Sequence, residues 1–446
     1  MSVKAVNSQA ADKVSDVKTC TGRLNVQGEN PFSRLKSARG FRIMHPRFLI
    51  RINNSSWEHV QMEYVTPPVD DTHRIDTNQL DLPPRLLLGP GPSNVHPRVR
   101  TALAMNEVGH LDPSFLQVMN ETQELLRYVW QTDNRFTLPV SGTGSAAMEA
   151  TVANCVEPGD VVLVGVNGYF GERLCDMASR YGADVRRLEK PWGEVFTVEE
   201  IGEGLEKHRP AILGLIHAET STGALQPMEG IGKLCREFDC LLLLDTVTSL
   251  GGVPVLLDRW HVDLAYSGSQ KCISCPPGAS PLTLGERALA KLNGRKTKVA
   301  NWYLDMSLVG KYWGSERVYH HTAPINMIYG FREALRIIAE EGLDARWERH
   351  RSNAGLLWEG LEELGIGCHV EKEHRLASLT TALVPDGVDS KAVSVYLRDN
   401  YNIEMAAGLG QLAGKVWRIG LMGYNSRPEV VTLLLSALKK ALEAVG

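Results

Sequence analysis

The chain predicts an α/β fold built on a largely parallel sheet. Three observations carry that prediction. From about residue 161 onward, short apolar runs alternate with segments of helical period, the pattern of strands joined by crossover helices. The runs are continuous rather than alternating, as in Leu241-Leu-Leu-Leu-Asp245, which is what a strand covered on both faces requires. Small polar or glycine-containing segments follow several of the runs, at the carboxyl ends of strands where such sheets bind ligands.

Taken in order, residues 1 to about 75 differ in kind from the rest. From Asn30 to Trp57 there is no acid, while Arg34, Lys36, Arg39, Arg42, Arg47 and Arg51 fall there. A basic, serine-containing, acid-poor stretch has the composition of an organelle transit peptide. An unstructured tail and a start at Met62 are equally open readings, and Asp12 and Asp16 speak against a mitochondrial signal. Folding is expected to begin near Leu82, with a rigid Gly/Pro turn in Leu86-Leu-Leu-Gly-Pro-Gly-Pro-Ser-Asn94. Such turns let backbone approach a ligand closely. Phe115, Leu116, Met119, Leu125, Leu126 and Val129 recur at helical spacing, which predicts a helix from Pro113 to Trp130. Thr137 to Ala150 reads as strand, glycine turn and Ala-rich helix.

Strands are then expected at Val161–Val164, from Val185, at Ala211–Ile216, Leu241–Leu244 and Leu264–Tyr266, with helices at Tyr169–Tyr181, Val198–His208 and Gly230–Phe238. Ile325–Glu341 and Trp347–Leu364 predict two helices. A smaller α/β unit follows, with strands near Ser378–Val384 and Lys415–Leu421 and helices at Ser390–Asn400 and Pro428–Ala444. The loop Gly408–Gly414 reads as mobile. The expected division is an extension over 1–75, a large domain over 76–340 and a small C-terminal domain over 341–446.

Composition narrows the function. The 446 residues suffice for two domains with real cores, and 43% hydrophobic with 22% charged residues is ordinary for a soluble globular protein. A net charge of −4 leaves no basic footprint for nucleic acid. No apolar run reaches the ~20 residues that span a bilayer. Eight scattered cysteines fit a reducing compartment better than a disulfide scaffold. Cys272 and Cys275 form a C-x-x-C without a second pair, and adjacent His320 and His321 point in different directions along a strand or helix, so neither signals a metal.

The chemistry converges on one sheet edge. Gly144-Ser145, Gly168–Phe170, His217–Gly223, Asp245 and Ser267–Lys271 all follow strand patterns. Free amides at the start of the helix after Gly142 would make an anion site. Lys271 lies in a Gly/Ser loop, 26 residues after Asp245. A lysine and a strand-end acid are what a pyridoxal 5'-phosphate (PLP) enzyme needs, one to bond the cofactor aldehyde and the other to keep the pyridine nitrogen protonated. On those two residues alone, a solvated lysine and a helix-capping acid stay open.

Seven stretches carry a more specific likeness. They are Leu86–Asn94, Val140-Ser-Gly-Thr-Gly-Ser145, His217-Ala-Glu-Thr-Ser-Thr-Gly223, Asp245-Thr-Val-Thr-Ser-Leu-Gly-Gly252, Ser267-Gly-Ser-Gln-Lys271, Tyr319-His-His-Thr-Ala-Pro324 and Val416-Trp-Arg-Ile-Gly420. In this order the chain, from about residue 82 to its end, resembles the class V aminotransferases of PLP fold-type I. Within them it looks like the alanine–glyoxylate and serine–glyoxylate (serine–pyruvate) enzymes. The resemblance implies a large domain with a mostly parallel seven-stranded sheet, a smaller C-terminal α/β domain and a homodimer with sites at the subunit interface.

It also implies roles. Lys271 is the Schiff-base lysine and proton shuttle, a task that suits an amine of lowered pKa. Asp245 pairs with the pyridinium nitrogen, Val247 packs under the ring, and Phe170 stacks on its other face, where relatives often carry Trp. Thr220 bonds the ring hydroxyl. Gly144, Ser145 and Gln270 bind the phosphate. Tyr319 and Thr322 reach the phosphate in the neighbouring subunit. Arg418 clamps the substrate carboxylate through two parallel hydrogen bonds. Gly91, in a turn lying over the site, favours small side chains. The implied reaction is ping-pong transamination from L-alanine or L-serine to glyoxylate, giving glycine and pyruvate or hydroxypyruvate. The alternative is another class V activity, either a different aminotransferase specificity or a cysteine desulfurase-like lyase. The lyase needs a catalytic cysteine on a mobile loop, and the available Cys368 reads as a strand entry. The C-terminus is not a Ser-Lys-Leu-type peroxisomal address, and the compartment is left open among mitochondrion, plastid, peroxisome and cytosol.

Overall fold

A computed structural model describes residues 43–45, 48–51, 61–63, 72 and 74–445. The chain divides into two compact units, Met1–Asp81 and Leu82–Gly446. In the first, β1 (Ile43–His45), β2 (Phe48–Arg51) and β3 (Gln61–Glu63) form an antiparallel sheet in that order. The transit-peptide reading of residues 1–75 otherwise lies outside the described residues.

The second unit opens with β4 (Leu86–Leu87), α1 (Pro97–Leu103) and α2 (Pro113–Trp130). Asp112 caps α2 by accepting from the Ser114 amide at 2.8 Å, and Pro113 occupies the first helical position, where no N–H is needed. The sheet strands alternate with helices as expected. They are β5 (Phe136–Gly142), β6 (Val161–Val166), β7 (Asp184–Glu189), β8 (Ile212–Ile216), β11 (Leu241–Asp245), β12 (Leu264–Tyr266) and β13 (Gly278–Leu284), with the short hairpin of β9 (Ala218–Glu219) and β10 (Ala224–Leu225) after β8. The helices between them are α3 (Gly144–Cys155), α4 (Tyr169–Arg180), α5 (Val198–His208) and α6 (Ile231–Glu237).

The seven strands lie in the order β5-β13-β12-β11-β8-β6-β7. All are mutually parallel except β13, which runs antiparallel between β5 and β12. Every residue of β8 and β11 is buried, which explains their unbroken apolar runs. At ~1.5–3 kcal/mol for each fully buried leucine, these central strands anchor the core. The edge strand β7 carries Asp184, Arg186, Arg187 and Glu189, charges that discourage pairing with another sheet.

No element was expected between Lys271 and Ile325, yet β13, α7 (Glu286–Asn293) and α8 (Met306–Trp313) lie there. Gly278 and Pro281 disguise β13 because both are poor in strands, and Pro281 stands opposite Pro139 in the ladder. The helix expected from Trp347 begins earlier. Gly342 ends α9 (Ile325–Glu341) with φ +83°, and α10 (Leu343–Glu363) starts at once.

The C-terminal sheet has the order β14 (Leu379–Leu383), β17 (Val416–Gly420), β16 (Ala406–Ala407). Its side chains share a second hydrophobic cluster with α10, α11 (Ser390–Tyr401) and α12 (Pro428–Val445). Leu88 belongs to that cluster, and β4 pairs in parallel with β15 (Ile403–Glu404). The 408–414 loop is a folded turn: Gly408 N–H donates to Val416 O at 2.9 Å and Lys415 N–H to Leu412 O at 3.1 Å. Among the described residues no helix is long and apolar enough to cross a membrane.

Gly232 in α6 tests how tightly the layer over β11 is packed. A Cβ there would lie 1.9 Å from the Trp260 carbonyl oxygen. Helix propensity favours alanine by about 1 kcal/mol, but backbone oxygen cannot yield as a side chain can. Gly232→Ala is expected to destabilise the fold by about 1–3 kcal/mol, read as a lower urea midpoint at unchanged m value.

Candidate active site

The carboxyl ends of β8, β11 and β12 supply the centre of the site. β11 stops at Asp245, which sits in register with Ile216 on one side and Tyr266 on the other. Asp245 is buried, and its oxygens are divided between two donors. Oδ1 accepts from the Val247 amide at 2.8 Å and Oδ2 from the Tyr266 hydroxyl at 2.6 Å. Burial pushes its pKa up to about 6, while the Tyr266 and Val247 donors and the Lys271 charge hold it down. Each oxygen keeps a lone pair for a further cationic donor.

Lys271 follows β12 by five residues and is also buried, with 7% of its surface exposed. Its Nζ donates to the Pro90 carbonyl. The Gly/Pro turn packs against this side chain: a Cβ on Gly91, which has φ +110°, would be 2.6 Å from Lys271 Cδ. The same turn grips the lysine's backbone. Ser93 N–H donates to Gln270 O at 2.9 Å, and Ser93 Oγ donates to Lys271 O at 2.8 Å. Burial, and then the charge of Arg418, draw the amine pKa down to about 8, against the pull of Asp245 and Glu219.

Three loops meet where α3 begins. The N-cap Thr143 makes no side-chain bond to the helix, which leaves the first amides of α3 to another acceptor. A Cβ on Gly144 would lie 3.7 Å from Gly268 Cα and 3.8 Å from both Gln270 Nε2 and Val247 Cγ2. Gly144, Gln270 and Val247 are therefore brought together by three separate loops. Ser145 Oγ accepts from Arg173 Nη1 at 3.4 Å, and the Arg173 guanidinium lies 4.8 Å from the centre of the Phe170 ring.

From the far side, Thr220 Oγ shares a hydrogen bond with Thr248 Oγ, and Arg418 Nη1 donates to Thr220 O at 3.5 Å. Arg418 is buried in the middle of β17, with Nε donating to Ala407 O at 2.9 Å. Tyr319 and Thr322 stand apart. Their hydroxyls are 3.5 Å from each other, Tyr319 is 57% exposed, and no hydrogen bond joins them to Lys271 or Gly144 among the described residues.

His320 and His321 do not point apart as adjacent residues were expected to. Their Nδ1 atoms are 2.8 Å apart, and His321 Nε2 is 2.7 Å from Ser141 Oγ at the end of β5. Among the described residues no three metal-ligating side chains converge.

Sequence reasoning missed Tyr266, Thr248 and Glu219. In the sequence Tyr266 is only the end of a strand, and the register that sets it beside Asp245 reveals its hydroxyl's partner. Glu219 was quoted inside a motif without a role. It is fully buried, and burial pushes its pKa up to about 7. An acid in such a run is a signal in itself, since acids are almost never fully buried without partners.

The chain matches the family model described as Aminotransferase class-V over residues 98–433. It is 45% identical to alanine–glyoxylate aminotransferase of Rattus norvegicus over 368 residues, 82% of this chain and 89% of that one. It is 39% identical to (S)-ureidoglycine–glyoxylate transaminase of Bacillus subtilis, covering 82% of this chain and 92% of that one. A crystal structure of alanine–glyoxylate aminotransferase from Nostoc sp. superposes with a TM-score of 0.83 at 65% identity, covering 84% of this chain and all of that one.

The buried Asp245 makes a signed prediction for the cofactor-free chain. Its folded pKa of about 6 lies above the ordinary 3.8. Between those values the folded state holds a proton that the unfolded chain has released, so stability falls as pH rises. Asp245→Asn removes that slope. The variant should gain on wild type by about 2–3 kcal/mol as pH rises from 4 to 6 in paired urea titrations.

Proposed function

Since the chain belongs to the class V aminotransferase family, we propose that it transfers the amino group of L-alanine or L-serine to glyoxylate, with PLP as cofactor. Glycine and pyruvate or hydroxypyruvate are the products. The observation that carries this reading is the Lys271 amine, buried after the strand ends against the Gly91 turn, its pKa drawn down to about 8 by burial and pulled back by the Asp245 carboxylate.

The residues present fit that cofactor. The uncapped start of α3 at Gly144 and Ser145, faced by Gln270 Nε2, suits a phosphate. The remaining lone pairs of Asp245 suit a protonated ring nitrogen, Thr220 a ring hydroxyl, and Val247 and Phe170 the two ring faces. PLP, when bound, supplies the electron sink that makes the donor's α-carbon acidic.

The chain's own residues supply the rest. Lys271 Nζ is neutral in an appreciable fraction of molecules near pH 7, so it can take the proton from the donor's α-carbon and return one to the acceptor's. Arg418 orients the substrate carboxylate through a planar pair of donors. The Gly91 turn against Lys271 favours donors with small side chains.

Two further parts of the reading concern assembly. Within the unit Leu82–Gly446 we place the large domain up to residue 340 and the small one at 341–446. We assign a homodimer in which Tyr319 and Thr322 reach the phosphate in the partner's site. Val318 next to Tyr319, and Trp302 and Tyr303, which pack on His320, are exposed large side chains, as an interface core would present. A lyase reading gains no support, because Cys368 is half-buried in a bridge to Ala382, with its thiol pKa raised by burial.

The first test is a visible spectrum of the chain reconstituted with PLP. A visible band that bleaches on adding L-alanine or L-serine is expected, and Lys271→Ala should show neither band nor bleaching. Uptake of PLP by the apoprotein should rise with a midpoint near pH 8, where Lys271 loses its proton, and not near the ordinary lysine value of about 10.4. A wild-type chain that takes up no PLP overturns the reading. Arg418→Lys keeps the charge but loses the planar pair of donors, and should raise the donor KM by about 10- to 100-fold in steady-state assays.

A further inference from the structure

Three candidate cofactor and substrate contacts arrive on separate elements, Phe170 on α4, Thr220 after β9 and Arg418 on β17, and the Thr248 hydroxyl after β11 pairs with that of Thr220. One buried acid sits where they meet. Glu219 Oε1 accepts from the Ser221 amide at 2.9 Å and from Ser221 Oγ at 2.6 Å, and Glu219 Oε2 accepts from the Phe170 amide at 3.1 Å. Ser221 Oγ in turn accepts from the Tyr169 amide at 2.9 Å. The first amides of α4 are thus bound by side chains of the Glu219–Ser221 segment. A helix N-terminus also favours the negative charge.

The fit leaves no slack. A Cβ on Gly168, the residue before α4, would lie 2.2 Å from Glu219 Cγ and 2.7 Å from Ser221 Oγ. Thr220, between the two anchoring side chains, touches Thr248 with its hydroxyl and Arg418 with its carbonyl. Glu219 is 0% exposed, so it cannot touch solvent, and its bonds go to these site-bearing segments.

We propose that Glu219 is a positioning residue, holding the Phe170 ring against the segment that carries Thr220 through its bonds to the Phe170 amide and to Ser221. The idea rests on the PLP reading above and deepens it. A purely structural acid would stabilise the fold without acting through Phe170. A positioning acid must lose its effect on cofactor binding when the ring it positions is gone.

A double-mutant cycle separates these cases. PLP is titrated into apoprotein of wild type, Glu219→Gln, Phe170→Leu and the double variant, and the dissociation constant and the circular dichroism of the bound visible band are read. Glu219→Gln can satisfy only one of the two donor groups and should weaken PLP binding by about 10-fold, the equivalent of one buried hydrogen bond. It should also change the sign or size of the dichroic band. In the Phe170→Leu background the same change should cost less than about 2-fold, as coupled sites require.

Ser221→Ala, which keeps the carboxyl and removes the Tyr169 tether, serves as a second probe should Glu219→Gln fold poorly. It should show the same coupling to Phe170. Equal factors in both backgrounds, or unchanged affinity in the Phe170-containing variants, overturn the proposal. Failure of wild type itself to bind PLP overturns the functional reading and this one with it.

Discussion

The structure depends on burying ionisable side chains of both signs at one end of a sheet. Asp245, Glu219, Lys271 and Arg418 are all almost wholly removed from water. Among the described residues their hydrogen bonds go to amides, hydroxyls and carbonyls, not to one another. Burial disfavours each charge, so the two acids are pushed up and the amine down, until all three titrate within a few units of neutrality. That arrangement is costly for a fold and useful for a proton-transfer site. The fully buried strands beneath it provide the rigidity that holds such groups in place.

The parts that were legible in the sequence are those with a local signature. Apolar runs alternating with helical segments mark the parallel strands, and apolar residues at helical spacing mark α2; the reciprocal capping box of Thr197 and Glu200 on α5 emerges only in the structure. Lys271 and Asp245 stood out by residue type at strand ends. What stayed hidden is what depends on register or on a partner element. Tyr266 looks like any core aromatic until β12 is laid beside β11. Strand β13 is masked by its own glycine and proline. Glu219 sits in a quoted motif, yet nothing local says that its carboxyl turns toward the start of α4.

The division of labour also follows from chain topology. Residues that contact the centre come from loops after β5, β6, β8, β11 and β12, and from β17. Loops of this kind diverge easily, whereas the sheet below them cannot. A family with one scaffold and several amino donors, as the names of the alanine and ureidoglycine relatives indicate, is what such a layout permits.

One short strand has a mechanical consequence. Leu86–Leu87 pair with Ile403–Glu404, and Gly420 N–H donates to Leu88 O at 2.8 Å, so the chain just ahead of Pro90 is stitched to the sheet that carries Arg418. A Cβ on Gly420 would lie 2.1 Å from Gly89 O, which leaves no play in the joint. The carbonyl that grips the Lys271 amine and the strand that carries Arg418 are therefore geared together. A shift of that strand turns directly into slack or tension at the lysine, with about two residues of chain as the linkage.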